Sequence, residues 1–140
     1  MDAALARRMT FHGAIVILLG LLAGFPYALV VTGDLAGSER AWRMAHLEGV
    51  LNGLVVLAVA GVGDRLTLGA GAQRWLAWSL VVTAYGNVVA ATLAAATGNR
   101  GLTSAGPLAN LAVYVLFMVA VGAVALGLVL VAVGSRRPIR

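Results

Sequence analysis

A histidine, a glutamate and an asparagine stand close together in an otherwise apolar stretch. His46, Glu48 and Asn52 belong to the sequence AHLEGVLNGLVVLAVAGVG, residues 45–63. An imidazole nitrogen binds metal ions, a carboxylate accepts hydrogen bonds, and an amide both donates and accepts them. Because unpaired polar groups destabilise a helix in lipid by several kcal/mol each, such residues indicate a functional site inside a membrane bundle. For Glu48, a place at the polar interface is the alternative.

The spacing around His46 suits a planar ligand. On a helix, Gly49 and Gly53 share the face of His46 and predict a flat wall without side chains. One interpretation is that His46 is an axial ligand of haem iron and that the ring lies against this wall. The other is an interfacial histidine with a hydrogen bond, beside a Gly49-x-x-x-Gly53 helix-packing motif. The residues alone leave both interpretations open.

The second histidine, His12, opens the first apolar span. We expect it about 30 Å of bilayer away from His46, too far for both to bind one metal. An iron held by His46 would then keep an open face, unless Met44 or Met118 occupied it. An open position suits Lewis-acid chemistry or ligand binding better than electron transfer alone.

Three asparagines are expected in the same half of the membrane as His46. Asn52 lies about 9 Å deeper along the helix than His46, at about 1.5 Å per residue. Asn87 and Asn110 are predicted in the outer half of two later spans. They indicate a polar site, but asparagines also join membrane helices by hydrogen bonds of roughly 0.6 kcal/mol each, so a purely structural role is the alternative.

The composition defines the elements that must position these groups. Of 140 residues, 61% are apolar and 11% are charged, which excludes an ordinary soluble domain. The apolar residues form long runs, which favours spanning helices over a β-barrel. The chain has no cysteine, which excludes disulfides and thiolate-bound cofactors. All ten basic residues are arginine, and their positions at chain ends and loops indicate topology signals and contacts with membrane lipid rather than nucleic-acid binding.

We therefore predict an all-α integral membrane protein, an antiparallel four-helix transmembrane bundle in which residues 1–140 form a single domain. Short connections rich in Gly, Ser and Thr join the helices and make neighbours antiparallel. The first helix is expected to be retained rather than cleaved as a signal peptide. The predicted spans are about 11–31, 44–62, 75–96 and 108–133.

The arginines also predict the orientation. By the positive-inside rule, both termini are expected on the cytoplasmic side of what we expect to be a bacterial cytoplasmic membrane. Three arginines, Arg40, Arg43 and Arg100, are on the opposite side. The seven on the predicted cytoplasmic side are Arg7, Arg8, Arg65, Arg74, Arg136, Arg137 and Arg140.

Four motifs resemble the styrene oxide isomerase family. WRMAHLEGVLNG, residues 42–53, looks like the family's second-helix motif, with Trp, then Ala-His, then Leu-Asn-Gly at the same spacing. RRMTFHG at 7–13, GNV at 86–88 and NRGLT at 99–103 agree as well. Each motif alone is weak, but four in order over nearly the whole chain are fairly specific.

The resemblance implies a four-helix membrane bundle that assembles as a homotrimer, with haem b at protomer interfaces. His46 would ligate the iron, and Asn52 would help to position an apolar epoxide such as styrene oxide. Ferric iron would act as a Lewis acid, and a Meinwald rearrangement would convert the epoxide to an aldehyde. Arg100 is a candidate for contacting the haem propionates, with a lipid headgroup contact as the alternative.

The chain departs from the family pattern at Ala91, where the family has a tyrosine close to the epoxide. Tyr85 lies on another side of the helix, and Tyr114 is a candidate replacement. This departure favours a second hypothesis, a haem-binding membrane protein without isomerase activity, such as a sensor, carrier or assembly subunit. A third hypothesis is a cofactor-free structural or transport subunit, in which the glycines and asparagines only pack helices.

Overall fold

A computed structural model describes residues 1–136 and contains four long helices. All four are long and apolar enough to cross a membrane. The prediction of an all-α four-helix membrane bundle is confirmed. The helices are α1 (Ala3–Thr32), α2 (Glu39–Val62), α3 (Ala70–Thr97) and α4 (Leu108–Ser135).

Helix α3 begins five residues before its predicted apolar span, and the helices extend beyond the predicted spans likewise at the starts of α1 and α2. Polar side chains cap both of these starts: the Asp2 carboxylate accepts a hydrogen bond from the backbone N–H of Ala4, and the Ser38 hydroxyl accepts one from Ala41. Because a cap satisfies backbone donors wherever it stands, a helix can begin outside the hydrocarbon layer. His12 and His46 therefore lie two or more turns inside their helices.

Both described chain ends lie at one end of the bundle. The backbone nitrogen of Met1 donates to the carbonyl of Gly63, and the N–H of Thr67 donates to the carbonyl of Gly134. The α2–α3 connection, with its 3-10 turn at Gly63–Arg65, is thus at this end, and the two other connections are at the opposite end. The positive-inside orientation stays a prediction, and Arg137 and Arg140 lie outside the described residues.

Helix α3 is the central element of the bundle. It packs against α1, α2 and α4, whereas the substantial contacts of α4 within residues 1–136 are with α3. Helix α3 is also the most buried of the four helices, and α4 the least. The side chains of Leu76, Leu80, Ala84 and Val88 are almost fully buried. The outer face of α4 is apolar and suits contact with lipid or with a neighbouring chain.

Candidate functional site

The imidazole of His46 is held against helix α1. Its Nδ1 lies 2.9 Å from the carbonyl oxygen of Gly20, and since a carbonyl only accepts, Nδ1–H is the donor. The ring of Tyr27 lies nearly parallel to the imidazole, with 6.5 Å between centroids and 17° between planes. In a neutral imidazole, a hydrogen bond donated by Nδ1–H leaves the lone pair on Nε2. Nε2 is therefore the ring nitrogen that this contact with α1 leaves available.

A glycine makes room for this histidine. A Cβ atom on Gly24 would lie 3.1 Å from Nδ1 of His46, tighter than most real contacts of this kind. Gly24 and Gly20 form a Gly-x-x-x-Gly pair in α1, one supplying space and the other the carbonyl acceptor. Sequence reasoning missed both residues, although their spacing is a recognisable sign of close helix approach.

Gly49 and Gly53 face α1 rather than an open space. A Cβ atom on Gly49 would collide with the Cα of Gly20, and one on Gly53 would lie 2.7 Å from the carbonyl oxygen of Gly13. Side chains larger than hydrogen would push the two helices apart. The expectation that these glycines form a free wall for a planar ring is wrong for the folded chain, because α1 covers that wall. The helix-packing alternative describes them.

Glu48, Asn52 and Asn87 form a chain of hydrogen bonds between α2 and α3. The side-chain nitrogen of Asn52 donates to the Glu48 carboxylate at 2.7 Å and to the Glu48 backbone carbonyl at 2.8 Å. The side-chain nitrogen of Asn87 donates to Oδ1 of Asn52 at 3.2 Å. Both amide protons of Asn52 are thus used within α2. The four-residue spacing of Glu48 and Asn52 places them on one helix face, a link that the sequence motifs did not indicate.

Glu48 also lines a cavity of about 750 Å³. The cavity lies at the end of the bundle that carries the α1–α2 and α3–α4 connections. Apolar groups form part of the wall, and Arg40 and Arg100 line the cavity as exposed residues. Ala91, which stands where the resembling family has tyrosine, is in the wall as well. The lining includes Met44, Glu48, Ala91, Ala95, Arg100 and Phe117. Among residues 1–136, the lining includes neither His46 nor Asn52.

His46 and Glu48 face different sides of α2. Two residues on a helix differ by about 200° around the axis, so the two side chains point about 160° apart. Accordingly His46 contacts α1, whereas Glu48 bonds to Asn52 beside α3. The fold brings Glu48, Asn52 and Asn87 together, and it keeps His46 apart from them within one chain.

His12 is closer to His46 than the sequence suggested. Because His46 bonds to Gly20, and Gly20 follows His12 by eight residues in α1, their separation along the helix is on the order of 12 Å. The expected 30 Å is therefore wrong, since both histidines lie well inside their helices. Nδ1 of His12 lies 3.2 Å from the hydroxyl of Tyr85 instead. Within residues 1–136, no three His, Cys, Asp or Glu side chains form a group that could hold a metal ion.

Asn110 stabilises the α3–α4 connection. Its Oδ1 accepts a hydrogen bond from the N–H of Gly101 at 2.9 Å, and its side-chain nitrogen donates to the carbonyls of Thr103 and Ala105. These bonds use both functions of the amide on the loop that carries Arg100. Asn110 therefore has the structural role that was the alternative to a place in the polar site.

Four membrane-length helices, with a hydrogen-bonded polar chain between α2 and α3 and a cavity beside it, define a multi-pass integral membrane protein. The family model of styrene oxide isomerase matches residues 5–136, and the chain belongs to this family. It is 38% identical over 100 residues to the hydroxylaminobenzene mutase HabB of Ectopseudomonas oleovorans. That alignment covers 71% of this chain and 57% of the relative. The family is named for an isomerase and the relative for a mutase.

Proposed function

We propose that this protein is a membrane isomerase that rearranges a small aromatic molecule internally, with haem b iron held by His46. The observation that carries the proposal is the hydrogen bond from Nδ1 of His46 to Gly20, because it leaves Nε2 free for the metal. Histidines that bind metals usually donate their other ring N–H to such an acceptor. The family membership supports the isomerase activity.

The described residues fit a haem in their donor chemistry. A haem needs few protein ligands, since the porphyrin supplies the equatorial nitrogens, and a single histidine is a common axial ligand. Gly49 and Gly53 are not available to the ring plane, because α1 covers them. Arg100 is proposed to contact the propionates, since its guanidinium suits bidentate carboxylate binding.

The resident groups bind and orient the substrate. When bound, ferric haem supplies a Lewis acid that polarises a carbon–oxygen or nitrogen–oxygen bond next to the aromatic ring. Met44, Ala95 and Phe117 in the cavity wall offer apolar contacts to an aromatic ring. The hydrogen bonds among Glu48, Asn52 and Asn87 fix the polar end of the site.

The first candidate substrate is styrene oxide or a related apolar epoxide. In a Meinwald rearrangement the benzylic C–O bond breaks, a hydride moves to that carbon from its neighbour, and the oxygen stays as the carbonyl of an aldehyde. No oxidant or reductant is consumed. A substrate of this kind partitions into lipid, which agrees with a site inside a membrane bundle.

The second candidate substrate is hydroxylaminobenzene, the molecule named for the relative. The observation that favours it in this chain is Glu48, whose carboxylate lines the cavity. A hydroxylamino group offers hydrogen-bond donors to a carboxylate, and an epoxide offers none. A mutase reaction on it would also give a product of unchanged mass.

A haem-binding protein without isomerase activity is the alternative. Ala91 favours it, because it leaves the cavity without the hydroxyl that a tyrosine there would bring. Such a protein would serve as a sensor, carrier or assembly subunit.

We further propose a homotrimer with haem at protomer interfaces, in a bacterial cytoplasmic membrane. The opposite orientation of His46 and Glu48 on α2 supports an interface site, because one chain does not offer both to a single iron. The exposed apolar faces of α1 and α4 agree with burial against lipid and neighbouring chains.

The visible absorption spectrum of the detergent-purified protein tests the proposal. A Soret band that shifts with styrene oxide or hydroxylaminobenzene, together with a chromatographic product of equal mass, is the expected result. A haem spectrum with no turnover of either substrate would support the non-catalytic alternative. Colourless protein from haem-replete cells would contradict the assignment of His46.

A further inference from the structure

Glu48 differs from the other four acidic residues by its place in the chain. Asp2, Asp34, Glu39 and Asp64 stand at helix ends or in connections, whereas Glu48 lies in the third turn of α2. An acidic side chain at this depth is destabilising unless hydrogen-bonded, so its presence suggests a role. The residues around Glu48 indicate what that role is.

The Glu48 carboxylate presents free acceptor positions to the cavity. A carboxylate has about four lone-pair sites, and the hydrogen bond from Asn52 uses one of them. The side-chain nitrogen of Asn52 donates both of its hydrogen bonds to Glu48, and the side-chain nitrogen of Asn87 donates one to Asn52. These amides therefore hold the Glu48 carboxylate in place. The part of the cavity lining that Glu48 supplies is therefore an acceptor of hydrogen bonds.

The rest of the cavity suits an aromatic body. Met44, Ala91, Ala95 and Phe117 supply apolar wall, and a volume of about 750 Å³ lies in the range of about 300–1,000 Å³ usual for small-molecule sites. The exposed Arg40 lies about 12 Å from Glu48 along α2, at the loop end. A small aromatic molecule inside the cavity thus meets the carboxylate at its inner end.

Donor and acceptor chemistry then separates the two candidate substrates. An epoxide oxygen only accepts hydrogen bonds, so beside a carboxylate it is unpaired and repelled. A hydroxylamino group carries both an N–H and an O–H, and each is a donor to a carboxylate oxygen. Sites built to pair such groups discriminate strongly against analogues that lack them, because the buried polar group is then left unsatisfied.

We propose that Glu48 is the specificity-determining residue of this site and selects aromatic substrates whose polar end donates hydrogen bonds, the N-hydroxyarylamines, over epoxides. This inference rests on the proposed isomerase function. It concerns which substrate the cavity accepts, and Asn52 and Asn87 act in it as positioning residues.

The test compares the haem-loaded wild-type protein with Glu48→Gln, which keeps the side-chain volume and adds N–H donors. Glu39→Gln, on the first turn of the same helix and outside the cavity lining, is the matched control. Steady-state kcat and KM are measured for hydroxylaminobenzene and for styrene oxide. We expect Glu48→Gln to lower kcat/KM for hydroxylaminobenzene about tenfold or more, mainly through KM, and to leave styrene oxide unchanged or improved. Glu39→Gln should alter neither.

An equal loss for both substrates in Glu48→Gln would overturn the inference, because a purely structural role affects every substrate alike. Unchanged kinetics for both would overturn it as well. A folded, haem-loaded variant is confirmed by its Soret band and melting temperature before the comparison is made.

A binding measurement separates this inference from the proposed function. If the wild-type protein turns over neither substrate, equilibrium dialysis is made with hydroxylaminobenzene and with N,O-dimethyl-N-phenylhydroxylamine, which has no donor. Tighter binding of the first by about tenfold, lost in Glu48→Gln, would support the role of Glu48 although the isomerase proposal had failed. Equal binding of the two molecules would contradict it.

Discussion

Nδ1 of His46 donates a hydrogen bond of 2.9 Å to the carbonyl oxygen of Gly20, where α1 and α2 pack through glycines. The bond joins two properties of the site. It orients the imidazole, and it depends on helices near enough for a side chain of one to reach the backbone of the other. The helix packing and the orientation of the His46 ring therefore depend on the same small residues, Gly20, Gly24 and Gly49.

Removing the imidazole should remove the haem. We expect His46→Ala to lose the Soret band and all turnover, because the variant lacks the proposed axial ligand. His12→Ala is the matched control, since His12 bonds to Tyr85 and is too far from His46 to share its metal. Absorption spectra of both purified variants, normalised to protein, provide the measurement. A full Soret band in His46→Ala would contradict the ligand assignment.

A methyl group at Gly24 should disturb the same histidine from the other side. The added Cβ would lie 3.1 Å from Nδ1, so Gly24→Ala should displace the ring and weaken haem binding about tenfold. Gly61→Ala, where the Cβ meets no atom within 4 Å, is the control and should bind haem normally. Haem titration of the apo-proteins measures the effect. Equal affinity in both variants would mean that Gly24 does not position His46.

The sequence predicted the four helices well because a long apolar segment in a membrane has few alternatives to a spanning helix. It predicted depth less well at His12 and His46, since hydropathy marks the lipid-embedded part of a helix and the caps at Asp2 and Ser38 extend the helices beyond it. Periodicity placed Gly49 and Gly53 on the face of His46, but it did not show which neighbour covers that face. Packing partners follow from the tertiary fold.

Asn52 should affect catalysis without affecting haem. Its side chain holds the Glu48 carboxylate at 2.7 Å, so Asn52→Ala should keep the Soret band and slow turnover by about tenfold to a hundredfold. Asn87→Ala, which removes only the support of Asn52 at 3.2 Å, should have a smaller effect of the same kind. Turnover per haem is the measurement. A larger loss of turnover in Asn87→Ala than in Asn52→Ala would contradict the supporting role given to Asn87 in this set of hydrogen bonds.

The link between Glu48 and Asn52 marks the limit of motif reasoning. The family motif indicates His46 and Asn52. It assigns no role to Glu48, whose hydrogen bond with Asn52 appears only in the folded structure. A four-residue spacing on a helix is enough to place the two side chains on one face. It does not show that a cavity lies beside them, because the wall also needs Ala91 and Phe117 from distant parts of the chain.

The contact between Gly49 and Gly20 should be a main source of stability for the α1–α2 pair. Gly49→Val places a branched side chain where even a Cβ would collide with Gly20, so we expect destabilisation of about 1–3 kcal/mol or more. Gly122→Val, where a Cβ meets no atom within 4 Å, should be nearly neutral. Thermal unfolding in detergent compares them. Similar melting temperatures for the two variants would show that the contact between Gly49 and Gly20 contributes little to stability.

An interface site can be tested by mixing two inactive chains. His46 and Glu48 face opposite sides of α2, so an iron bound by one chain would meet the cavity of its neighbour in the proposed trimer. His46→Ala and Glu48→Ala chains, each expected to be impaired with hydroxylaminobenzene, are co-expressed with different affinity tags and purified through both. Each mixed cyclic trimer that carries both tags has one wild-type pair among its three interfaces, about a third of the total. Turnover with hydroxylaminobenzene above that of either variant alone is therefore expected. If the mixed protein equals the average of its parts, each chain supplies its own complete site.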